Sequence, residues 1–142
     1  MIFKDMTIVH SDTASITTKG FCDTINITEK VARVAEASKV VNGTLTVFCQ
    51  GSTGTITTIE FEPGAIQDLR EKMAPSDVTY EHDRAWGYGN GFSHIQAALM
   101  KPSLTIPFVD GKMTLGTWQQ IVFIDFDNRP RKRTVIVQVV GV

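Results

Sequence analysis

Apolar and polar residues alternate along several short stretches of the chain, a period of two that is typical of β-strands with one buried face. Asp110 and Gly111 separate two of these stretches and form a pair that favours a tight hairpin turn. A Ser/Thr/Gly-rich segment separates the first two stretches, and we expect it to be a turn. The pattern predicts strands over residues 3–10, 21–27, 44–50, 55–62, 103–109 and 112–115.

The two stretches nearest the C-terminus, residues 121–126 and 134–140, carry apolar residues on both faces. A strand with one face in water would instead alternate between apolar and polar residues. We therefore expect both strands to be covered on both faces, by helices, by a second sheet or by a neighbouring subunit. A turn at residues 127–130 would join them.

Apolar residues spaced three to four positions apart predict helices in three places. The first helix is predicted to run from Thr28 to near Ser38. The second has Pro63 as its first residue, a position that proline favours, and it stops before Pro75.

The third helix is predicted to begin at Ser93, because Ser93 and Gln96 fit a capping box. His94 would then occupy the first helical position, where the helix dipole disfavours the imidazolium ion and keeps the ring neutral. Residues 81–91, immediately before this helix, fit neither period and are predicted to form a loop.

Strands outnumber helices in this prediction, which indicates an α+β fold built as a β-sandwich-like mixed sheet with about three helices. A length of 142 residues suits a single domain spanning residues 1–142. The net charge of −1 provides no field that would attract nucleic acid or a membrane surface, so neither is expected as a partner. The N-terminus lacks a signal-peptide pattern and no apolar run is long enough to span a bilayer, so we expect a cytoplasmic protein. Cys22 and Cys49 form no metal-binding spacing and are expected to be buried, reduced thiols.

The segment from Tyr80 to Gln96 contains two of the three histidines, together with aromatic, acidic and amide side chains. His82 and His94 can converge across such a glycine-rich stretch, with Glu60 as a third ligand. Nitrogen and oxygen donors of this kind suit zinc or manganese, and magnesium is a further candidate. The two rings could equally be an acid–base pair, since histidine titrates near neutrality. The structural alternative is a solvated His82 and a packed His94.

Three further segments offer polar groups to a ligand. The glycine-flanked hydroxyl cluster within residues 51–60 suits a phosphate or another oxyanion, or it is a Thr-rich strand with a glycine bulge. Residues 117–119 either line a pocket, with the indole as a stacking face, or form a packed hairpin corner. The basic run at 129–133 is short and lacks interleaved aromatics, so a solvated turn is favoured over a nucleic-acid surface. Arg131 or Arg133 could still reach a phosphate in a neighbouring site.

Several motifs, in order along the chain from about Thr44 to the C-terminus, together resemble the YjbQ family of secondary thiamine-phosphate synthase enzymes. The matching motifs are GSTGTITTIE (residues 51–60), YEHD (80–83), NGFSHI (90–95), SLTIP (103–107), GTWQ (116–119) and RKRTVIVQ (131–138). The resemblance implies a single-domain α+β sandwich that assembles as a homotrimer, with a pocket at or near the subunit interface. It also implies that His82, His94 and Glu60 fall on the site, with the Ser/Thr segment and the GTWQ motif beside them.

The family name describes the joining of a pyrimidine diphosphate to a thiazole phosphate with loss of pyrophosphate. That activity looks secondary, so the resemblance leaves the physiological substrate open. Gly51 stands where some family members have a histidine, which argues against a three-histidine metal site in this chain. The sequence also lacks the acidic cluster expected to hold Mg²⁺ on a diphosphate.

We therefore predict a small cytoplasmic enzyme that acts on a phosphorylated or diphosphorylated metabolite, with His82, His94 and Glu60 as catalytic residues. His94 would bind an anion or a metal, His82 would act as an acid–base group or a second ligand, and Glu60 would orient one of them. The predicted substrate-binding residues are Ser52, Thr53, Thr57, Asn90, Ser93, Thr117, Trp118 and Gln119. The alternative is a non-catalytic trimeric module that binds a metal or a phosphometabolite.

Overall fold

The computed structural model describes residues 6–73 and 77–142, which form strands and helices in an α+β arrangement. In chain order the elements are β1 (Ile8–Thr18), β2 (Asp23–Asn26), α1 (Thr28–Ala37), β3 (Gly43–Cys49), β4 (Gly54–Ile59), α2 (Pro63–Lys72), α3 (Glu81–Trp86), α4 (Gly91–Met100), β5 (Ser103–Val109), β6 (Lys112–Met113), β7 (Gln120–Asp125) and β8 (Arg131–Gly141). Among these described residues, no helix combines the length and the apolar character that crossing a bilayer requires.

The strands form two sheets. The five-stranded sheet has the order β1-β8-β3-β5-β6, and the three-stranded sheet has the order β2-β7-β4. The α+β class is confirmed. Every strand pairing is antiparallel rather than mixed, and the described chain has one helix more than the three predicted.

Strand β7 confirms the prediction of a strand buried on both faces. Ile121 and Phe123 face the main core, which the larger sheet and α1 complete. Val122 and Ile124 face the opposite way, into a second cluster that includes Ala97 of α4. Helices therefore cover the second face of this strand, one of the alternatives that the sequence left open.

Strand β8 differs from β7 in this respect. Val135, Val137 and Val139 are fully buried against the core, whereas Ile136 is partly exposed and Gln138 is exposed. Among the described residues only one face of β8 is covered, because none of the described elements packs on the outer side of the larger sheet. The prediction allowed a neighbouring subunit as the cover for the second face, and for β8 this alternative stays a prediction.

The first strand is also placed differently from the prediction. The Ser/Thr-rich residues expected to form a turn belong to β1, which pairs with β8 along its whole length from Ile8 to Thr18. The β-branched Thr and Ile residues of this segment fit a pleated strand, and β8 supplies the hydrogen-bonding partner that the sequence could not show. The predicted strand at 3–10 lies partly outside the described residues.

The region before α4 is helical rather than a loop. Residues Glu81–Trp86 form the short helix α3, which ends at Gly87 in the left-handed conformation with φ of 74°. Helix α4 begins at Gly91 with Asn90 as its N-cap residue, so the predicted start at Ser93 is wrong. The helix can start earlier because the folded chain gives Ser93 a different hydrogen-bond partner, described below.

The two sheets bring three chain turns together at one end of the molecule. The N–H of Phe126 donates to the carbonyl oxygen of Thr53 at 2.9 Å, which ties the end of β7 to the turn before β4. Gly20 lies behind the following turn with φ of 80°, and a Cβ atom there would be 2.7 Å from the carbonyl oxygen of Asp127. A glycine is therefore required for this close approach.

Candidate functional site

The two histidines predicted to converge do so, through the junction of α3 and α4. The ring centroids of His82 and His94 are 4.3 Å apart, and the ring planes are inclined by 38°. The carboxylate of Asp83 holds the junction, because it accepts hydrogen bonds from the N–H of Tyr80 at 2.9 Å and of Gly91 at 2.8 Å. These bonds lower the pKa of Asp83, so the carboxylate is charged at neutral pH.

The paired rings open into a surface depression of about 470 Å³. It is lined by three arginines and one aspartate, together with a glycine-containing turn and the two histidines. The residues that line it are Gly51, Ser52, Thr53, His82, Trp86, Tyr88, Asn90, His94, Asp127, Arg129, Arg131 and Arg133. A smaller, more apolar depression of about 280 Å³ shares Gly51, Ser52 and His94 with it and continues to Ala97, Ala98 and Pro102.

A buried ion pair forms the floor below this depression. Arg133 donates to both carboxylate oxygens of Asp125, from Nε to Oδ2 at 2.7 Å and from Nη2 to Oδ1 at 2.7 Å. The side chain of Asp125 is fully buried, and 10% of the Arg133 side chain is exposed. Nη2 of Arg133 also donates to Oγ1 of Thr53 at 2.7 Å, so the pair fixes the turn that faces the histidines. Its role is to position Thr53 and its neighbours.

Asp127 is the second buried carboxylate of the site. Its Oδ1 accepts from Nδ2 of Asn90 at 3.1 Å and from the N–H of Asn128 at 2.8 Å, and its Oδ2 accepts from Nε of Arg131 at 2.8 Å. Burial alone would raise its pKa, but these hydrogen bonds and the Arg131 charge outweigh burial and lower it. Asp127 is therefore a charged acceptor that holds Asn90 and Arg131 in place.

The imidazole of His94 has a lowered pKa. Partial burial is the largest cause and the neighbouring His82 is the second, while Asp127 and Asp83 act in the opposite direction. The predicted neutral ring agrees with this direction, but the predicted cause does not, because His94 is the fourth residue of α4 rather than the first. A neutral imidazole can donate through one nitrogen and accept through the other.

We expect the NMR titration midpoint of His94 to lie below its ordinary value of 6.5. The His82→Phe variant should move the midpoint upward, because it removes the second ring's charge while a ring remains stacked on His94. Since the folded pKa is below the unfolded one, the contribution of His94 to stability is complete above about pH 6.5 and declines as the pH falls from there. A midpoint at or above 6.5, measured on the imidazole C2–H resonance, would contradict this assignment.

The structure brings some of the predicted site residues together and separates others. Ser52, Thr53 and Asn90 line the depression with the two histidines. Glu60 and Trp118 instead line a separate depression of about 370 Å³, next to Phe61 and Glu62. Within one chain, the predicted grouping of Glu60 with both histidines is therefore not found.

The remaining predicted substrate-binding residues also lie outside the histidine depression. Thr57 lies within β4, opposite Val122 of β7, and Thr117 is exposed. Gln119 accepts a hydrogen bond from the N–H of Gly116 at 3.0 Å and donates to Oγ1 of Thr58 at 3.1 Å, so its amide shapes the turn before β7. Gln119 is distant from the histidines because it lies next to the Ile59–Gln120 end of the β4–β7 pair, whereas the opposite end, at Gly54 and Asp125, lies beside the depression.

Ser93 was predicted both to cap a helix and to bind substrate, yet its side chain is fully buried and points to β7. Its Oγ donates to the carbonyl oxygen of Phe126 at 2.5 Å. This hydrogen bond ties α4 to the end of β7 and so fixes the position of His94, the next residue. Ser93 is thus a positioning residue that holds the helix carrying His94.

The Ser93→Ala variant is expected to lower the free energy of unfolding by about 1–3 kcal/mol, because it leaves a buried carbonyl oxygen without its donor. Urea denaturation measures the change. The matched control is Ser52→Ala, at an exposed position, which should stay within about 0.5 kcal/mol of the wild type. Equal effects of the two substitutions would contradict the tethering role of Ser93.

Several lining residues were not predicted from the sequence: Trp86, Tyr88, Asp127 and Arg129. The side chains of Trp86 and Tyr88 are 67% and 61% exposed, and they supply the aromatic face that had been expected from Trp118. One signal for the buried network was present in the sequence. Asp125 and Asp127 interrupt an apolar strand-like run, and a buried carboxylate requires a cationic partner.

The described residues do not complete a metal centre. No group of three His, Cys, Asp or Glu side chains within residues 6–73 and 77–142 has suitable geometry. Two imidazoles that bind one tetrahedral zinc ion would have centroids roughly 5 Å apart, with their nitrogens converging, which is farther than this stacked pair. The oxygens of Asp83 are already used by two backbone N–H groups. A metal on His82 and His94 stays a prediction, and nothing proposed below depends on it.

The histidine depression is similar in volume to another depression on the surface, but the residues that line the two differ in their chemistry. A depression of about 410 Å³ between α1 and β6 has Glu36 and Lys112 as its charged residues and otherwise mainly apolar lining. The histidine depression combines imidazoles, arginines, amides and aromatic faces. The fold and this site together define an antiparallel α+β protein with a basic, histidine-containing cleft.

Residues 12–142 match the family described as UPF0047 protein YjbQ-like, and the chain belongs to this family. A UPF0047 protein of Methanothermobacter thermautotrophicus is 36% identical over 136 residues, which cover 94% of this chain and 93% of that protein. A UPF0047 protein of Archaeoglobus fulgidus is 37% identical over 117 residues, covering 80% of this chain and 88% of that protein. The resemblance based on the motifs is confirmed.

Solved structures agree with this assignment. A YbjQ-like protein of unknown function from Sulfolobus solfataricus superposes with a TM-score of 0.92 at 25% identity, covering 96% of this chain and all of that one (100%). An uncharacterized conserved protein of the yjbq/upf0047 family from Clostridium acetobutylicum gives a TM-score of 0.81 at 35% identity, covering 90% and 98%. The fold is therefore the one that these solved structures share.

Proposed function

We propose that the histidine depression binds a phosphorylated or diphosphorylated metabolite, and that the protein is a small enzyme acting on it. The observation that supports this most directly is that Arg129 and Arg131 line the same depression as the paired histidines and the exposed Gly51–Ser52 turn. Arginine forks and turn N–H groups both favour phosphate oxygens. The proposal extends the family assignment to a ligand class.

The arginines differ in how free they are to bind an anion. Arg133 is committed to Asp125, and Arg131 pairs with Asp127 while a third of its side chain (34%) remains exposed. Arg129 is exposed and forms no ion pair with any residue of the described chain. Arg129, supported by Arg131, is therefore the group that would meet the incoming phosphoryl oxygens.

The chemistry that suits this arrangement is transfer of a group from its diphosphate ester. The C–O bond to the diphosphate breaks, and its electron pair leaves with the pyrophosphate. A ring nitrogen of the acceptor then forms the new C–N bond. Arginines aimed at the leaving pyrophosphate would stabilise its developing charge, and a neutral His94 would donate a hydrogen bond to it. This is the reaction type of the secondary thiamine-phosphate synthases that the motifs resemble.

A second candidate is a non-catalytic module that binds the same ligand class. It is favoured by the absence, among the described lining residues, of a carboxylate free to act as a base, since Asp127 is fully engaged. The two candidates differ in turnover but agree in binding. Release of pyrophosphate from a pyrimidine diphosphate in the presence of a thiazole phosphate, assayed with and without chelator, separates them.

We further propose that the protein assembles as a homotrimer and that Glu60 and Trp118 act at a neighbouring subunit's site. The residues that the structure describes leave the outer face of the larger sheet uncovered, and Trp118 is 72% exposed beside Glu60. Both features are expected of surfaces that pack against another copy. Light scattering measures the mass in solution. A monomer of 15.7 kDa would exclude this arrangement.

Calorimetric titration with pyrophosphate tests the proposed ligand class. The Arg129→Gln variant should bind pyrophosphate about 10-fold to 100-fold more weakly, because a charged hydrogen bond contributes about 1.5–3 kcal/mol. The matched control is Arg33→Gln, which removes an exposed arginine paired with Glu29 on α1 and should leave the affinity unchanged. Absence of pyrophosphate binding to the wild type, or equal affinity in both variants, would refute the proposal.

A further inference from the structure

Two residues that line the histidine depression each have a buried side-chain atom that forms no hydrogen bond within the described part of the chain. These atoms are Oδ1 of Asn90 and Nδ1 of His82. Asn90 is only 5% exposed, so its amide oxygen cannot turn to bulk solvent. Buried polar atoms in native proteins are nearly always paired, and each exception calls for a specific explanation.

The orientation of the Asn90 amide follows from its neighbour. Asp127 is a charged carboxylate and can only accept hydrogen bonds, so the group that faces its Oδ1 must be the amide nitrogen of Asn90. The reverse orientation would place two oxygens against each other. The amide oxygen of Asn90 is therefore directed away from Asp127, as an acceptor that lacks a donor.

Hydrogen bonds also hold the backbone of Asn90 in place. Asn90 is the N-cap residue of α4, and the N–H of Ser93 donates to its carbonyl oxygen at 3.0 Å. The next residue, Gly91, is held by the Asp83 carboxylate. The acceptor is thus presented by a fixed helix start, next to the histidine pair and on the same depression as Arg129 and Arg131.

We infer that the ligand of this depression carries a hydrogen-bond donor, a hydroxyl or an amino group, which meets Oδ1 of Asn90 while its phosphoryl group meets Arg129 and Arg131. Nδ1 of His82 is the second acceptor for the same donor in the tautomer that leaves Nδ1 unprotonated. This inference rests on the proposed function and narrows it, from any phosphometabolite to a phosphate ester with a donor on its organic part. A ligand that lacks the donor would bury Asn90 Oδ1 without a partner.

Matched pairs of small esters test the inference by calorimetry. The probes are 2-hydroxyethyl phosphate against n-propyl phosphate and 3-hydroxypropyl phosphate against n-butyl phosphate, which differ by a hydroxyl in place of a methyl group. We expect the better-fitting hydroxyalkyl ester to bind roughly 10-fold more tightly than its alkyl partner. The readout is the affinity ratio within each protein variant, so a general loss of affinity does not affect it.

Two variants test which residues cause the preference for the hydroxyalkyl ester. Asn90→Leu replaces the amide by an apolar group of similar shape and should reduce the ratio to about one. His82→Phe keeps a ring against His94 but removes Nδ1, and it should reduce the ratio in part. A crystal structure with the bound hydroxyalkyl ester should place its hydroxyl oxygen within hydrogen-bond distance of Asn90 Oδ1.

The outcomes separate the inference from the function on which it rests. A ratio of about one in the wild type for both pairs, with pyrophosphate and the esters still bound, overturns the donor requirement and leaves the proposed function intact. A preserved preference in Asn90→Leu likewise overturns the assignment to Asn90. Failure of the wild type to bind pyrophosphate and every ester would overturn both.

Discussion

Replacing Arg133 with methionine is expected to lower the free energy of unfolding by about 3–5 kcal/mol, a large part of the total stability of a domain of this size. The substitution leaves the fully buried carboxylate of Asp125 without its bidentate partner. An uncompensated charge in the protein interior is far more costly than the loss of a surface ion pair. Urea unfolding followed by circular dichroism measures the difference.

Two variants serve as controls for this prediction. Arg33→Met removes an arginine from an exposed pair with Glu29 and should change stability by less than about 0.5 kcal/mol. The double variant Asp125→Asn with Arg133→Met removes both buried charges and should recover part of the lost stability. If the Arg133 and Arg33 substitutions had similar effects, the network would not be a structural element of the site.

The proposed function predicts that the His94→Ala variant reduces thiamine-phosphate formation by a factor of about 10²–10⁴, the usual contribution of a positioned acid–base or hydrogen-bonding histidine. His94 faces both the arginine-lined depression and the adjacent apolar one, so its loss removes the group between them. The measurement is product formation at saturating pyrimidine diphosphate and thiazole phosphate, on protein of the same oligomeric mass as the wild type.

His10→Ala is the matched control, because His10 is the third histidine and lies on β1, away from the depression. Its rate should equal that of the wild type once the folded fraction is matched.

The Glu60→Gln variant tests whether neighbouring subunits contribute residues to one site. A loss of rate in Glu60→Gln that is restored by mixing with His94→Ala would show that neighbouring subunits share one site. An unaffected rate and unaffected phosphometabolite binding in His94→Ala would refute the proposed role of that residue.

Local sequence signals predicted much of the secondary structure. Helix α1 begins at Thr28 and helix α2 begins at Pro63, as the apolar spacing and the helix-start preference of proline indicated. The hairpin of β5 and β6 turns at Asp110 and Gly111, where the sequence predicts it. These elements were accessible because their signals come from residues within a few positions of one another.

The errors arose where a distant part of the chain decides the local structure. The Ser/Thr-rich segment is a strand because β8 pairs with it, and Ser93 lies inside a helix because Phe126 accepts its hydrogen bond. Neither partner is close in sequence. Helix α3 is an exception, because Asp83 accepts its hydrogen bonds from the nearby Tyr80 and Gly91, a local signal that the spacing of apolar residues does not show.

Some features of the candidate site were likewise predicted from local sequence, and others depend on the fold. The chemical types and the convergence of His82 and His94 were predicted from their shared segment, and the folded chain places their rings 4.3 Å apart. Glu60 and Trp118 were grouped with them on residue type and resemblance, but the direction of β4 places them in another depression of this chain. Arg131 and Arg133 were noted only as basic residues that could reach a neighbouring phosphate.

The sequence by itself determined the strand and helix periods, the family and the presence of two histidines in one glycine-rich segment, because each depends on neighbours along the chain. Only the tertiary structure decided that Asp125 and Asp127 hold Arg131 and Arg133 in place, and that the amide oxygen of Asn90 is buried without a partner among the described residues. The physical reason is that burial removes these groups from water. Once buried, a carboxylate or an amide must find its partner among residues that the sequence places far away.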